Sequence, residues 1–236
     1  MTTPPIPPPV TYPQIKASLR TGDLLFLHGT ALEDLCIELD EWKEGLPEYS
    51  HVGMIIRDEA NLYFWDAPGG GDWFDDPYYS DPLNRISMDP TPKHGGCRVA
   101  KLEEILPYYA GFTSGGVFHL RPLKAPSPIT ADQSSALRVF IDQVDGFPFT
   151  PDGGPGLLAQ YKAGEDERTT LWAGTYFCAQ LVADSYLHMG LLDQSSTPAN
   201  GYAPGAFASS DPSVLPLRNA ALGDIIAFTW SPPPAS

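Results

Sequence analysis

The chain has 236 residues, of which 42% are hydrophobic and 11% aromatic; it can bury a substantial core as one domain and is not disordered as a whole. A formal charge of −15 argues against a nucleic-acid backbone or an anionic membrane surface as partner. No stretch approaches the roughly 20 apolar residues that cross a bilayer, and no basic segment followed by an apolar one opens the chain, which predicts an intracellular protein without a transmembrane segment.

The 26 prolines and 22 glycines are scattered rather than periodic, so long loops are expected between short elements. Residues 1–13 are proline-rich and uncharged and read as an extended tail or strap, with one domain over 14–230 and a short C-terminal tail over 231–236. A short helix over Ile15 to Leu19 leads to the turn Thr21-Gly22-Asp23, which opens the buried strand Leu24 to Leu27. An acid-rich loop or short helix from Glu33 to Trp42 follows. The segment Tyr49-Ser50-His51-Val52-Gly53-Met54-Ile55-Ile56-Arg57 is a core strand with His51, Gly53 and Ile55 on one face and Val52, Met54 and Ile56 on the other. The glycine leaves a gap beside the imidazole that a substrate or a partner side chain could fill. Taken alone, His51 reads as a strand-end histidine satisfied by hydrogen bonds.

Leu62 to Ala67 reads as the returning strand of a hairpin, which carries Asp66 back toward His51, where a carboxylate could fix the imidazole tautomer. Residues Asp72 to Gly96 interleave acids with aromatics, but their spacing departs from a calcium loop, so a solvated wall beside the site is the better reading. A strand over Arg98 to Leu102, a helical turn over Leu102 to Tyr109 and a strand over Val117 to Arg121 come next. Thr130 caps a helix from Ala131 to about Val144, and a Pro/Gly-rich loop with an acidic continuation then runs to the next helix. That helix carries Cys178 in its first turn. Thr175 is its expected N-cap, Leu181, Val182 and Met189 fall on the same stripe as the thiol, and Gly190 closes it. A cysteine so placed is drawn toward the thiolate by the unsatisfied amides of the first turn. Residues from Asn200 to Pro216 read as loop, and Gly223-Asp224 opens a last buried strand over Ile225 to Phe228, echoing Gly22-Asp23. Cys36, Cys97 and Cys178 form an odd set without CxxC spacing, so neither a disulfide framework nor a structural zinc site is encoded; Cys36 and Cys97 read as packing residues.

With Cys178, His51 and Asp66 in this order, the chain resembles the circularly permuted branch of the NlpC-type papain-like cysteine peptidases, including the YiiX/YaeF-like proteins and, more remotely, the lecithin retinol acyltransferase group. The resemblance rests on Leu19 to Phe26, on Tyr49 to Met54, on Trp65-Asp66-Ala67, on Gly146 to Phe149 and on Tyr176 to Val182. It departs from the family pattern in placing an aspartate at a position more often filled by glutamate, and in the long insertion over 72–96. The resemblance implies an α+β fold in which antiparallel strands carry His51 and Asp66 and pack against the helix that presents Cys178. It implies a thiol hydrolase of a peptide, amide or acyl-ester substrate, without cofactor or metal. In that scheme Cys178 is the nucleophile, His51 its base and Asp66 the orienting acid. The backbone N–H of Cys178 serves the oxyanion, with Tyr49 or Tyr176 as a candidate second donor. Three other readings stay open: acyl transfer through the same thioester, a non-catalytic papain-like binding module, and a zinc site formed by Cys178, His51 and a carboxylate.

Overall fold

The computed structural model describes residues 9–27, 49–69, 96–111, 113, 116–124, 129–150, 153–193 and 197–231. Two expectations, the element over Glu33 to Trp42 with the packing of Cys36 and the loop over 72–95, lie outside them. The described elements are the strands β1 (Val10–Thr11), β2 (Leu24–Leu27), β3 (His51–Asp58), β4 (Asn61–Asp66), β5 (Arg98–Lys101), β6 (Val117–Arg121), β7 (Leu123–Lys124), β8 (Ala221–Leu222) and β9 (Ile226–Thr229). The helices are α1 (Tyr12–Lys16), α2 (Leu102–Ala110), α3 (Ala131–Val144), α4 (Gly153–Glu167), α5 (Cys178–His188) and α6 (Pro204–Ala208), with a 3-10 turn over Ala199–Gly201.

Seven strands form one sheet in the order β1-β9-β6-β2-β3-β4-β5, antiparallel except for the parallel β1–β9 pair, and β7 and β8 form a small second sheet. The fold is α+β, a large and mostly antiparallel sheet packed against helices. Both faces of the sheet are covered. Leu24, Phe26, Val52, Met54 and Trp65 pack on one side with Leu137, Phe140, Leu181 and Val182 of α3 and α5. Leu25, Leu27, Ile55 and Phe64 pack on the other with Tyr12 and Ile15 of α1 and Ile105, Leu106 and Tyr109 of α2. A strand buried on both faces has no solvent side, which is why Leu24 to Leu27 is apolar without alternation.

Two side-chain contacts hold α5 in place, and a third, inside the helix, orients the Ser185 hydroxyl. Trp65 Nε1 donates to Ser185 Oγ at 3.0 Å, Ser185 Oγ donates to the Leu181 carbonyl at 2.7 Å, and Tyr186 Oη donates to the Gly22 carbonyl at 2.7 Å. Each partner of the helix thus lies on β4 or in the turn before β2, and the helix is registered against the strands that carry the site.

Several boundaries differ from the sequence reading. Residues 10–13, placed in the tail, form the edge strand β1 and the start of α1, because pairing of Val10 with Phe228 and burial of Tyr12 tie them to the domain. Accordingly α1 starts earlier than expected and ends at Lys16. The segment read as a Pro/Gly-rich loop and acidic run is α4, which buries Leu157, Gln160, Tyr161 and Ala163. Its Gly164 lies so close to Asn200 and Gly201 that a Cβ there would collide with their backbone, so the glycine that weakens local helix propensity is what lets the helix dock. The stretch read as loop after Asn200 includes α6.

Candidate active site

Three strands and two helices deliver the site. His51 is the first residue of β3, Asp66 the last of β4 and Arg98 the first of β5, so all three stand at one end of the sheet. Met54 pairs with Trp65, and continuing that register by one residue sets Asp66 across from Gly53. On the face they share, Asp66 reaches diagonally to His51, with Asp66 Oδ2 to His51 Nε2 at 3.1 Å. The next pair in the sheet is Asp66 with Arg98, and Arg98 Nε donates to Asp66 Oδ1 at 3.0 Å. From α2, Tyr109 Oη donates to Asp66 Oδ2 at 2.6 Å, accepts from Arg98 Nη2 at 3.2 Å and stands 3.4 Å from His51 Nε2.

Cys178 opens α5 on the other helix layer, and its sulfur lies near enough to the His51 ring to raise the imidazole's pKa. Asp66 and Tyr109 both stand at His51 Nε2. The imidazole therefore joins the two layers at the end of the sheet. Cys178 is 3% exposed, the His51 side chain 13% and Asp66 0%.

The expected gap beside Gly53 is filled from within the chain. A Cβ on Gly53 would run into the Phe64 ring and approach Asp66 Cβ to 3.0 Å, so the missing side chain makes room for the acid rather than for a ligand. The expected N-cap also differs. Phe177, not Thr175, occupies that position, makes no side-chain cap, and Thr175 Oγ1 donates instead to the Trp172 carbonyl at 2.9 Å. Phe177 thus offers no side-chain oxygen to the first turn, whose amides have no intrahelical partners. The segment Gly146 to Phe149 ties this turn to the sheet: Cys97 N donates to the Phe147 carbonyl at 2.9 Å, Gly146 N to the Cys97 carbonyl at 2.9 Å and Tyr176 N to the Pro148 carbonyl at 3.1 Å. Gly96, at φ 136°, allows the close passage, since a Cβ there would strike the Phe147 carbonyl.

Of the two tyrosines considered as oxyanion donors, Tyr176 turns its hydroxyl to Asp184 Oδ2 at 2.9 Å, six residues and roughly 9 Å along the helix from Cys178. Tyr49 packs its buried ring against Phe26 and, edge-on, against His119.

The charges follow from the contacts. Burial by itself disfavours a charged imidazole, but the Cys178 sulfur and the Asp66 carboxylate outweigh it and raise the His51 pKa to about 10. Burial likewise works against an ionised Asp66, and Arg98 with His51 overturns it, lowering the acid to about 2. Burial and the adjacent Asp66 charge push Tyr109 well above its ordinary value, so it stays an O–H donor. Arg98 and Tyr109 were read from the sequence only as parts of a strand and a helical turn. An arginine opening the strand after Asp66 was the available signal, but it becomes informative only once the β4–β5 register is known.

The site thus defined is a thiol, an imidazole and a carboxylate in series at the mouth of a helix, on an α+β scaffold. No family model matches the chain, and no curated protein matches it. Among solved structures, the chain is similar to the crystal structure of the metalloprotein yiiX from Escherichia coli O157:H7, at 15% identity and a TM-score of 0.43 over 72% of this chain and 66% of that one. Among the described residues, no group of three or more His, Cys, Asp or Glu side chains is arranged to hold a metal ion, and no helix is long and apolar enough to cross a membrane.

Proposed function

We propose that this chain is a cysteine-dependent hydrolase of amide or ester bonds, of the permuted NlpC-type papain-like kind, acting through Cys178. The observation that carries the reading is His51, bonded through Nε2 to Asp66 and set within electrostatic reach of a cysteine at a helix N-terminus. His51 is paired as imidazolium with the Cys178 thiolate, which adds to the substrate carbonyl carbon. The backbone N–H of Cys178 donates to the oxyanion that forms. Collapse expels the amine or alcohol, which takes the proton from His51 and leaves a thioester on Cys178. Water then gives a proton to His51, attacks the thioester and expels the thiolate, releasing the acid. Asp66 stays ionised throughout and holds the ring.

The test uses p-nitrophenyl acyl esters and peptidyl anilides with the purified chain. Turnover that disappears in Cys178→Ala, together with a mass-shifted Cys178 peptide trapped from the ester, supports the reading. Turnover that survives in Cys178→Ala, or a Cys178 no more reactive toward iodoacetamide than a free thiol, overturns it, the second result pointing to a binding module. Product formed with an added amine or alcohol in preference to water would reassign the same thioester to acyl transfer.

A further inference from the structure

We propose that Arg98 and Tyr109 are a pair of positioning residues that keep Asp66 anionic and aimed at His51 Nε2, and so set the orientation of the imidazole beside Cys178. The inference deepens the hydrolase reading and rests on it for its catalytic consequence.

A single contact would not require this. Asp66 is fully buried, and so nearly is Arg98, 5% exposed. A lone carboxylate in that setting takes up a proton rather than stay charged. Arg98 Nε meets Oδ1 at 3.0 Å, leaving Oδ2 to His51 at 3.1 Å and to the Tyr109 hydroxyl at 2.6 Å. The two oxygens are therefore assigned different tasks: one is anchored by the guanidinium and the other is presented to the imidazole. Arg98 Nη2 also donates to Tyr109 Oη, so the hydroxyl hydrogen is committed to the carboxylate and cannot turn to His51. The Tyr109 ring is itself held, edge-on to Phe64 and Tyr108 and tilted over His51 at 5.6 Å. Among the described residues, the titratable or charged groups facing Asp66 are His51 from β3, Arg98 from β5, Tyr109 from α2 and the Cys97 thiol before β5. Burial, with the nearby Asp145, Asp66 and Asp184, pushes the Cys97 thiol up, so it stays neutral. Arg98 is thus the one permanent cation in the set, and Tyr109 the one neutral donor fixed on the oxygen His51 uses.

Two readouts on the full chain test this. The Asp66 carboxyl is followed by 13C NMR through a pH titration, and alkylation of Cys178 by iodoacetamide is followed by peptide mass spectrometry. In Arg98→Met the Asp66 titration moves up by about one pH unit or more, and Arg98→Lys, which returns the charge without the fork, restores most of it. Tyr109→Phe keeps the ring packing and slows Cys178 alkylation about tenfold, the loss expected for one hydrogen bond to a charged group. An Asp66 titration unmoved in Arg98→Met, or an alkylation rate in Tyr109→Phe equal to wild type, overturns the proposal. If Arg98→Met does not fold, Tyr109→Phe decides the matter alone. The two readings fail separately: a Cys178 no more reactive than a free thiol sinks the hydrolase while the Asp66 titration still reports on Arg98.

Discussion

Asp23 and Asp66 are both carboxylates sealed inside this protein, at 3% and 0% exposure, yet they carry opposite electrostatic signatures. Asp23 accepts main-chain amides, Arg20 N at 2.8 Å and Leu123 N at 2.9 Å, and burial raises its pKa despite them. Asp66 is buried more completely and is lowered, because Arg98 and His51 stand against it. Burial sets the penalty in both places and the neighbours decide its outcome. Asp23 uses its oxygens to join the turn before β2 to the start of β7, which is structural work. Asp66 is maintained as an anion at the end of the sheet, beside a histidine and a thiol.

The largest effect expected from this contrast is in Asp66→Ala. It breaks the buried ion pair with Arg98 and removes the acceptor of the Tyr109 hydroxyl, and is expected to destabilise the fold by about 3–5 kcal/mol in urea unfolding. The milder Asp66→Asn carries the pH dependence. The folded-state pKa of His51 is raised from 6.5 to about 10, so its charged ring contributes in full below 6.5 and the contribution is lost as pH rises through about 10. That of Asp66 is lowered from 3.8 to about 2, so its contribution is present above 3.8 and is lost as pH falls through about 2. The stability difference between wild type and Asp66→Asn is therefore greatest between pH 4 and 6.5 and shrinks on either side. A difference that does not vary with pH would break the contrast.

Gly53→Ala comes next. Its Cβ would press on the Phe64 ring and on Asp66 Cβ, with a cost of about 1–3 kcal/mol and a fall in Cys178 alkylation as the acid is displaced from His51. Asp23→Asn sharpens the comparison from the other side. It replaces one acceptor oxygen by a donor facing a main-chain N–H while removing a buried charge, so a loss of about 1 kcal/mol with unchanged Cys178 reactivity is expected. The smallest effect belongs to an exposed pair. Lys16→Ala breaks the 2.6 Å contact with Glu103 at the surface and is expected to shift stability by about 0.2–1 kcal/mol, read from the urea midpoint.

Much of the scaffold was legible locally because its signals repeat over two or four residues. The alternation through β3, the hairpin return of β4, the Thr130 cap and the apolar stripe of α5 each lie within a few positions of one another. These patterns sufficed to single out His51, Asp66 and Cys178 as candidates. They misled where docking overrides propensity, as in α4, whose Gly164 looks like a helix breaker until it is seen against the Asn200–Gly201 turn.

By itself the sequence determined which residue types stand at strand ends and helix starts, since the backbone periodicities that place them are local. Only the tertiary structure decided their charge and their company. Gly22-Asp23 and Gly223-Asp224 are the same dipeptide, yet Asp23 is buried and Asp224 exposed. Likewise nothing near Arg98 or Tyr109 in the chain reveals that both close on Asp66. The physical reason is that the pKa of a buried group depends on desolvation and on charges a few ångströms away, and those are supplied by strands and helices distant in sequence.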